Sequence, residues 1–394
     1  MDFATASARL QRIHFWRIDV KKSFMVLAVI SASGGAAAQS SVSIYGTIDA
    51  GAGYIKSTGA GHMVGLVTGG NTTSRLGFRG TEDLGGGWAA SFRLEGAVQN
   101  DTGGGASATT GFDFQRRSTI SLSSRFGELR MGRDFAAHFV NQYTFDVTGS
   151  RGVGQMETPG VSTAGANQNA FRVNNAVAYF LPGTLGGFYG HVQYAFGERP
   201  SSTVPTANAS GISNSAANAA TSKSGNYLGL RGGYAGGPLN VSVSYGQQMG
   251  AIRTVGTSFY ASDYRTANIG AAYDFGFIRP LAFFQREQMA GRGAIPGFRF
   301  DTFNVGATAP FGPHTVRVQA SYYEVKNTSR EASKISAGYM YNLSKRTFLY
   351  GEVGRINNKG GNTMTFAGIG GLSSPVPTPG GSSTAFTVGL THSF

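Results

Sequence analysis

From Ser41 to the end of the chain, apolar and polar side chains alternate with a period of two, which marks strands that have one apolar and one polar face. In Ser41 to Ala50, Val42, Ile44, Ile48 and Ala50 share one side, while Ser43, Thr47 and Asp49 share the other. Between Ser74 and Gly96 the rhythm recurs twice around a glycine-rich turn, Glu82 to Gly87. Leu76 and Phe78 oppose Arg75 and Arg79; Trp88, Phe92 and Leu94 oppose Ser91, Arg93 and Glu95. The last segment keeps Phe386, Val388, Leu390 and Phe394 on one face up to the final residue.

The connections alternate between short and long. Besides Glu82 to Gly87, short turns are expected at Ser124 to Gly127, Pro182 to Gly187, Ala235 to Pro238, Asp274 to Gly276, Phe311 to His314 and Leu343 to Arg346. Long polar connections are expected near 57–72, 100–112, 134–170, 197–224, 247–264, 289–299, 324–333 and 355–383. Seven short and eight long connections join sixteen strands. The pattern therefore predicts an all-β chain, a 16-stranded antiparallel transmembrane β-barrel with short periplasmic turns and long extracellular loops.

A secreted β-sandwich would also alternate, but its turns need no strict asymmetry of length. In lipid every backbone N–H and C=O must be paired within the protein, and a closed sheet leaves no edge. The apolar face then meets lipid and the polar face meets a water-filled lumen. Arg75 or Arg93 turned outward would cost about 2 to 4 kcal/mol near the midplane, so both are expected in the lumen. Phe78, Trp88, Phe188, Tyr273, Phe311 and Phe348 stand at strand ends, where interfacial girdles of aromatics belong.

The start of the chain adds a compartment. Lys21 and Lys22, an apolar stretch to Ile30 and the small residues up to Ala38 form a secretory signal over 20–38, with cleavage expected before Gln39. Its apolar core is too short to span a bilayer, which takes roughly 20 residues as a helix. Residues 1–19 do not belong to that pattern and are expected to be an extension ahead of the true start. Of the 33 basic and 20 acidic residues, Arg9, Arg12, Arg17, Lys21, Lys22, Asp2 and Asp19 lie before the cut. The mature chain keeps 28 basic and 18 acidic residues, a formal charge of +10. In an exported chain this balance points to anionic lipid or an anion path rather than to nucleic acid.

Other chemistry is thin. Cysteine is absent, so the chain has no disulfide, thiolate nucleophile or thiolate metal site. His62, His138, His191, His314 and His392 show no metal-ligand spacing, and no phosphate-binding loop, nucleophile elbow or dinucleotide fingerprint is present. No cofactor and no metal are expected. A hydrolase would need a Ser–His pair, and nothing marks His191 for that role.

Six patches in order, SVSIYGTIDAG, SRLGFRGTEDLGGGW, FGELRMGRDF, RVNNAVAYFLPGTLGGFYG, YNLSKRTFLYGE and GLTHSF, resemble the Gram-negative general porin family, in its β-proteobacterial branch. The resemblance implies an outer-membrane homotrimer of sixteen-stranded barrels that passes small hydrophilic solutes by diffusion. It implies contact with outer-membrane lipid and lipopolysaccharide, and an inward-folded third loop that narrows the pore. It makes Phe394 part of the signal read by the outer-membrane assembly machinery. The acidic motif Pro-Glu-Phe-Gly-Gly of the enteric branch is missing from the third loop, so the carboxylates of the narrowing are not fixed by it.

With that loop inward, Asp146 or Glu157 would stand against the wall, facing Arg75, Arg93, Arg130 and Arg172, each on the polar parity of its strand. The weak pattern of RRSTISLSS leaves Arg116 and Arg117 open, and the family pattern favours Arg116. A row of guanidiniums in a channel with low-dielectric walls concentrates anions and does not titrate away. Anion preference is therefore expected. The competing readings are that these arginines rigidify the wall by pairing with Asp49, Glu95 and Glu128, and that the channel is substrate-specific with saturable solute binding.

Overall fold

The computed structural model describes residues 41–105, 111–160, 171–199, 212–213, 220, 222–367 and 369–394. The expected signal and N-terminal extension lie outside the described residues. The first strands are β1 (Ser41–Ser57), β2 (Gly61–Thr68), β3 (Arg75–Gly85), β4 (Trp88–Ala97), β5 (Arg117–Ser124), β6 (Gly127–Phe135), β7 (Arg172–Phe180), β8 (Phe188–Ala195) and β9 (Ile212–Ser213). The rest are β10 (Tyr227–Gly236), β11 (Leu239–Val255), β12 (Ser258–Tyr273), β13 (Arg279–Met289), β14 (Phe298–Phe311), β15 (His314–Val325), β16 (Glu331–Asn342), β17 (Thr347–Lys359) and β18 (Ser382–Ser393).

All pairings are antiparallel, and β18 returns to β1 from Thr47↔Ser393 to Ser57↔Ser383, which closes the sheet. β2 and β3 share one place in the wall. β1 pairs with β3 over its first half, up to Thr47↔Arg75, and with β2 over its second, from Ala50↔Thr68. β9 is a two-residue ladder on β12 within a loop. Sixteen staves remain, as the sequence pattern predicts.

Two long loops expected from the sequence are paired strand instead. Residues 61–68 fold straight back on β1 after a three-residue turn, and β11 runs to Val255 through a bulge between Gln248 and Ala251. Ladder hydrogen bonds need no apolar side chains, so strands continue beyond the lipid where alternation fades. Arg253, expected in an outer loop, is part of β11 for the same reason.

Alternation holds around the wall. Ile44 and Ile335 are 64% and 63% exposed on the lipid side, while Thr47, Gln193, Ser321 and Thr387 are buried on the other. Trp88, Phe188, Tyr273 and Phe311 stand exposed near the short turns, as a girdle requires. Phe348 shares the parity of Tyr350 and Glu352 and so falls on the lumen side.

The seam depends on a missing side chain. The Gly46 and Phe394 backbones exchange two hydrogen bonds of 3.0 Å, and a Cβ at Gly46 would lie 2.4 Å from the Phe394 ring and 2.8 Å from the Arg75 carbonyl oxygen. Gly46→Val should force the C-terminus off β1 and lower the temperature at which the barrel loses its compact gel migration. An unchanged transition would show that the seam tolerates the displacement.

The lumen is not empty. The segment between β6 and β7 opens with a short helix, α1 (Ala137–Thr144), which the strand-dominated sequence did not announce. Its Phe145 ring fits against Gly270, where any Cβ would collide. The segment then crosses the interior. Its backbone N–H groups donate to Gln193 from Ala137 (3.1 Å), Gln319 from Val147 (3.1 Å), Glu352 from Gly154 (3.2 Å) and Glu287 from Gly160 (3.4 Å). The last long loop also turns inward: Phe366 and Ile369 pack with Val153, Met156, Ile55 and Val67. These lumen-side apolar residues are buried under loops rather than wetted.

Candidate pore constriction

Glu95 on β4 is the hub of a guanidinium cluster on the lumenal wall. Its carboxylate accepts from Arg116 Nε at 2.7 Å, Arg93 Nη2 at 3.1 Å and the Tyr45 hydroxyl at 3.0 Å, with Arg75 Nε at 3.8 Å. The strand period explains three of these: Arg75, Arg93 and Glu95 all face inward on paired strands. Arg116 sits just before β5, its N–H bonded to the Glu95 carbonyl, so its direction is set by the incoming loop rather than by strand parity. Arg117 begins β5 on the inward parity and meets Asp134 at 3.4 Å. Both arginines therefore reach lumenal carboxylates.

Arg172 donates from Nε to the Arg116 carbonyl oxygen at 2.7 Å and lies 4.4 Å from the Phe135 ring centre. Arg151 comes from the loop itself. Burial and the guanidiniums of Arg116 and Arg75 push it down to about 10, which leaves it charged at neutral pH. Among the described residues neither Arg151 nor Arg172 has a carboxylate partner. Arg75, Arg93 and Arg116 thus converge on one carboxylate, and Arg151 and Arg172 border the same space as Arg75 and Arg116, so guanidiniums outnumber carboxylates here.

Arg130 stands apart. It is held by Glu128 and Asp134, both at 2.8 Å, so its charge is balanced locally. The loop carboxylates form no ion pair with these arginines among the described residues, although Glu157 borders the same space. Asp146 accepts from the N–H groups of Thr148 (2.9 Å) and Met156 (2.7 Å) and shapes its own loop. Glu157 pairs with Lys334 at 2.6 Å on the far wall. In each case a nearer donor takes the carboxylate. Aromatic rings share this space: Phe135, Phe139, Tyr143 and Phe171 border the same volume of about 790 Å³ as Arg75, Arg116, Arg151 and Arg172. Phe139 and Tyr143 lie four apart on α1, a helical spacing that strand-based reading passes over.

Arg75 is steadied from behind. Residues 69–74 interrupt the wall between β2 and β3, and the buried Asp49 carboxylate accepts from the N–H groups of Gly70 (2.9 Å), Asn71 (3.3 Å) and Thr72 (3.1 Å). Tyr350 and Thr391 hydroxyls also donate to it, at 2.8 and 2.7 Å. In turn Arg75 Nη1 donates to Thr72 Oγ1 and the Thr73 carbonyl oxygen. Asp49→Ala should strand these buried donors at a cost of about 1 to 3 kcal/mol for each unsatisfied group and release the segment. Single-channel records of the variant should show added current noise; a quiet channel would refute this anchoring role.

Comparison with known proteins agrees with this architecture. A sequence model of the Gram-negative porin family matches residues 25–361. The chain belongs to the Gram-negative porin family. The porin is 36% identical over 379 residues to outer membrane porin protein 32 of Delftia acidovorans, covering 95% of this chain and 100% of the relative. An outer membrane porin protein of Bordetella pertussis is 30% identical over 376 residues, covering 84% and 93%. Among solved structures, the anion-selective porin from Comamonas acidovorans superposes with a TM-score of 0.78 at 35% identity, covering 90% of this chain and 100% of that one. The porin is an outer-membrane channel for passive diffusion of small hydrophilic solutes, and its family comprises channels rather than enzymes.

Proposed function

We propose that this porin prefers anions, and that Arg75, Arg93, Arg116, Arg151 and Arg172 are the charges that set the preference. The observation that carries the reading is the clustering of guanidiniums at one space: Arg75, Arg93 and Arg116 share Glu95, and Arg151 and Arg172 border the same space as Arg75 and Arg116. Resemblance to a structure described as anion-selective supports it. In a narrow path with low-dielectric walls, fixed charge concentrates counter-ions and excludes co-ions. Arg130 contributes less, because Glu128 and Asp134 neutralise it. Asp146 and Glu157 act as loop anchors, their charge taken up by loop N–H groups and by Lys334. In a planar bilayer under a KCl gradient the reversal potential should have the anionic sign, and a cationic sign would overturn the reading.

The proposal extends to assembly. The barrel works as a homotrimer in contact with outer-membrane lipid and lipopolysaccharide, and Phe394 serves in recognition by the assembly machinery, as family membership suggests. The precursor is exported by the signal at 20–38, and residues 1–19 are not part of the exported product. The channel supplies passage only and performs no catalysis.

A further inference from the structure

The aromatic surface beside the guanidiniums is unusual for a path through water. Tyr143 and Phe171 are 50% and 38% exposed although both lie inside the barrel, at the border of the passage. They belong to one aromatic patch. Phe139 meets Phe171 edge-on with ring centres 5.0 Å apart, and Phe135 stacks on Tyr143 at 6.1 Å with 25° between planes. Tyr143 also lies within the electrostatic reach of both Arg116 and Arg151.

We propose that the constriction binds small aromatic carboxylates, the carboxylate on Arg116 and Arg151 and the ring on Tyr143 and Phe171. The proposal rests on the anion-preferring reading and names the class of anion favoured. A guanidinium offers a planar fork that matches a carboxylate, and a second guanidinium doubles the attraction. An inorganic anion or acetate uses that half of the surface only. A flat ring joined to the carboxylate also covers the exposed aromatic faces, and its own π-face can lie under a guanidinium, as the Phe135 ring lies under Arg172 at 4.4 Å. The space of about 790 Å³ that both the guanidiniums and the rings border admits a single-ring acid.

The test uses the full barrel in planar bilayers, with benzoate, cyclohexanecarboxylate or acetate added at rising concentration to a KCl background. Half-block of the chloride current should need about tenfold less benzoate than acetate, the factor expected from one aromatic pair, with cyclohexanecarboxylate between them. Tyr143→Leu, which keeps apolar bulk without a polar ring, should erase the difference between benzoate and cyclohexanecarboxylate. Tyr143→Ala with Phe171→Ala should bring benzoate to the acetate value. Equal block by benzoate and acetate in the parent, or a benzoate preference that survives the double substitution, would overturn the proposal. The sign of the reversal potential, recorded before any acid is added, reports on the anion reading separately.

Discussion

Exchanging Arg116 and Arg151 together for glutamine is expected to lower the ratio of chloride to potassium permeability by roughly eightfold at about 0.1 M salt, since a unit charge about 7 Å from an ion in water is worth about 0.6 kcal/mol before screening and about half that with it. Two such charges act on the anion favourably and on the cation unfavourably, so the ratio responds to both. Screening at about 0.1 M salt trims the effect, and the change should grow as salt is diluted. Arg116 and Arg151 are the pair to remove, because Arg93 and Arg75 remain to hold Glu95 and the wall keeps its hub. Arg253→Gln is the control. Its guanidinium bonds the Tyr260 hydroxyl at 3.0 Å and the Pro296 carbonyl oxygen at 2.6 Å at the outer end of β11. If both variants shift the reversal potential equally, the preference is a property of overall charge and not of the constriction.

The barrel was legible in the sequence because its rule is local. Lipid and water on opposite faces force a period of two, and a one-residue error would turn Arg75 and Arg93 into hydrocarbon. The rule lapses where lipid ends. Residues 61–68 and 251–255 are still paired strand, but only backbone geometry holds them there, and their side chains read as loop.

The constriction was legible only in part, for the same reason. Arg75 and Arg93 follow from strand parity. Arg116 does not, because it precedes β5 and takes its direction from the Glu95 carbonyl. Arg130 has the right parity, yet Glu128 two residues before and Asp134 four residues after already share its face, and the sequence ELRMGRD contains that neutralisation. The loop carboxylates resisted reading altogether. The partner of Glu157 is a lysine 177 residues away, and no local pattern carries such a pairing.

That pairing also supplies the test with the largest expected effect on stability. Lys334→Met should cost about 3 to 5 kcal/mol, because it leaves the Glu157 carboxylate buried without its cation. Lys334 is almost fully enclosed, donates to the Gln155 carbonyl oxygen at 2.6 Å and to Glu157 at 2.6 Å, and lies 4.8 Å from the Phe366 ring centre. Glu157 in turn accepts from the Ala367 N–H at 3.3 Å, so one ion pair joins both inward loops to β16. Losing it should lower the thermal transition of the barrel in detergent and raise open-channel noise together, since the same contact holds the plug and borders the passage. Adding Glu157→Gln to Lys334→Met removes the buried charge and should recover most of the loss, because an isosteric neutral pair avoids the desolvation that the lone carboxylate suffers. A double variant as unstable as the single one would mean that the loops are held by the apolar cluster of Val153, Met156 and Phe366, with the ion pair a bystander.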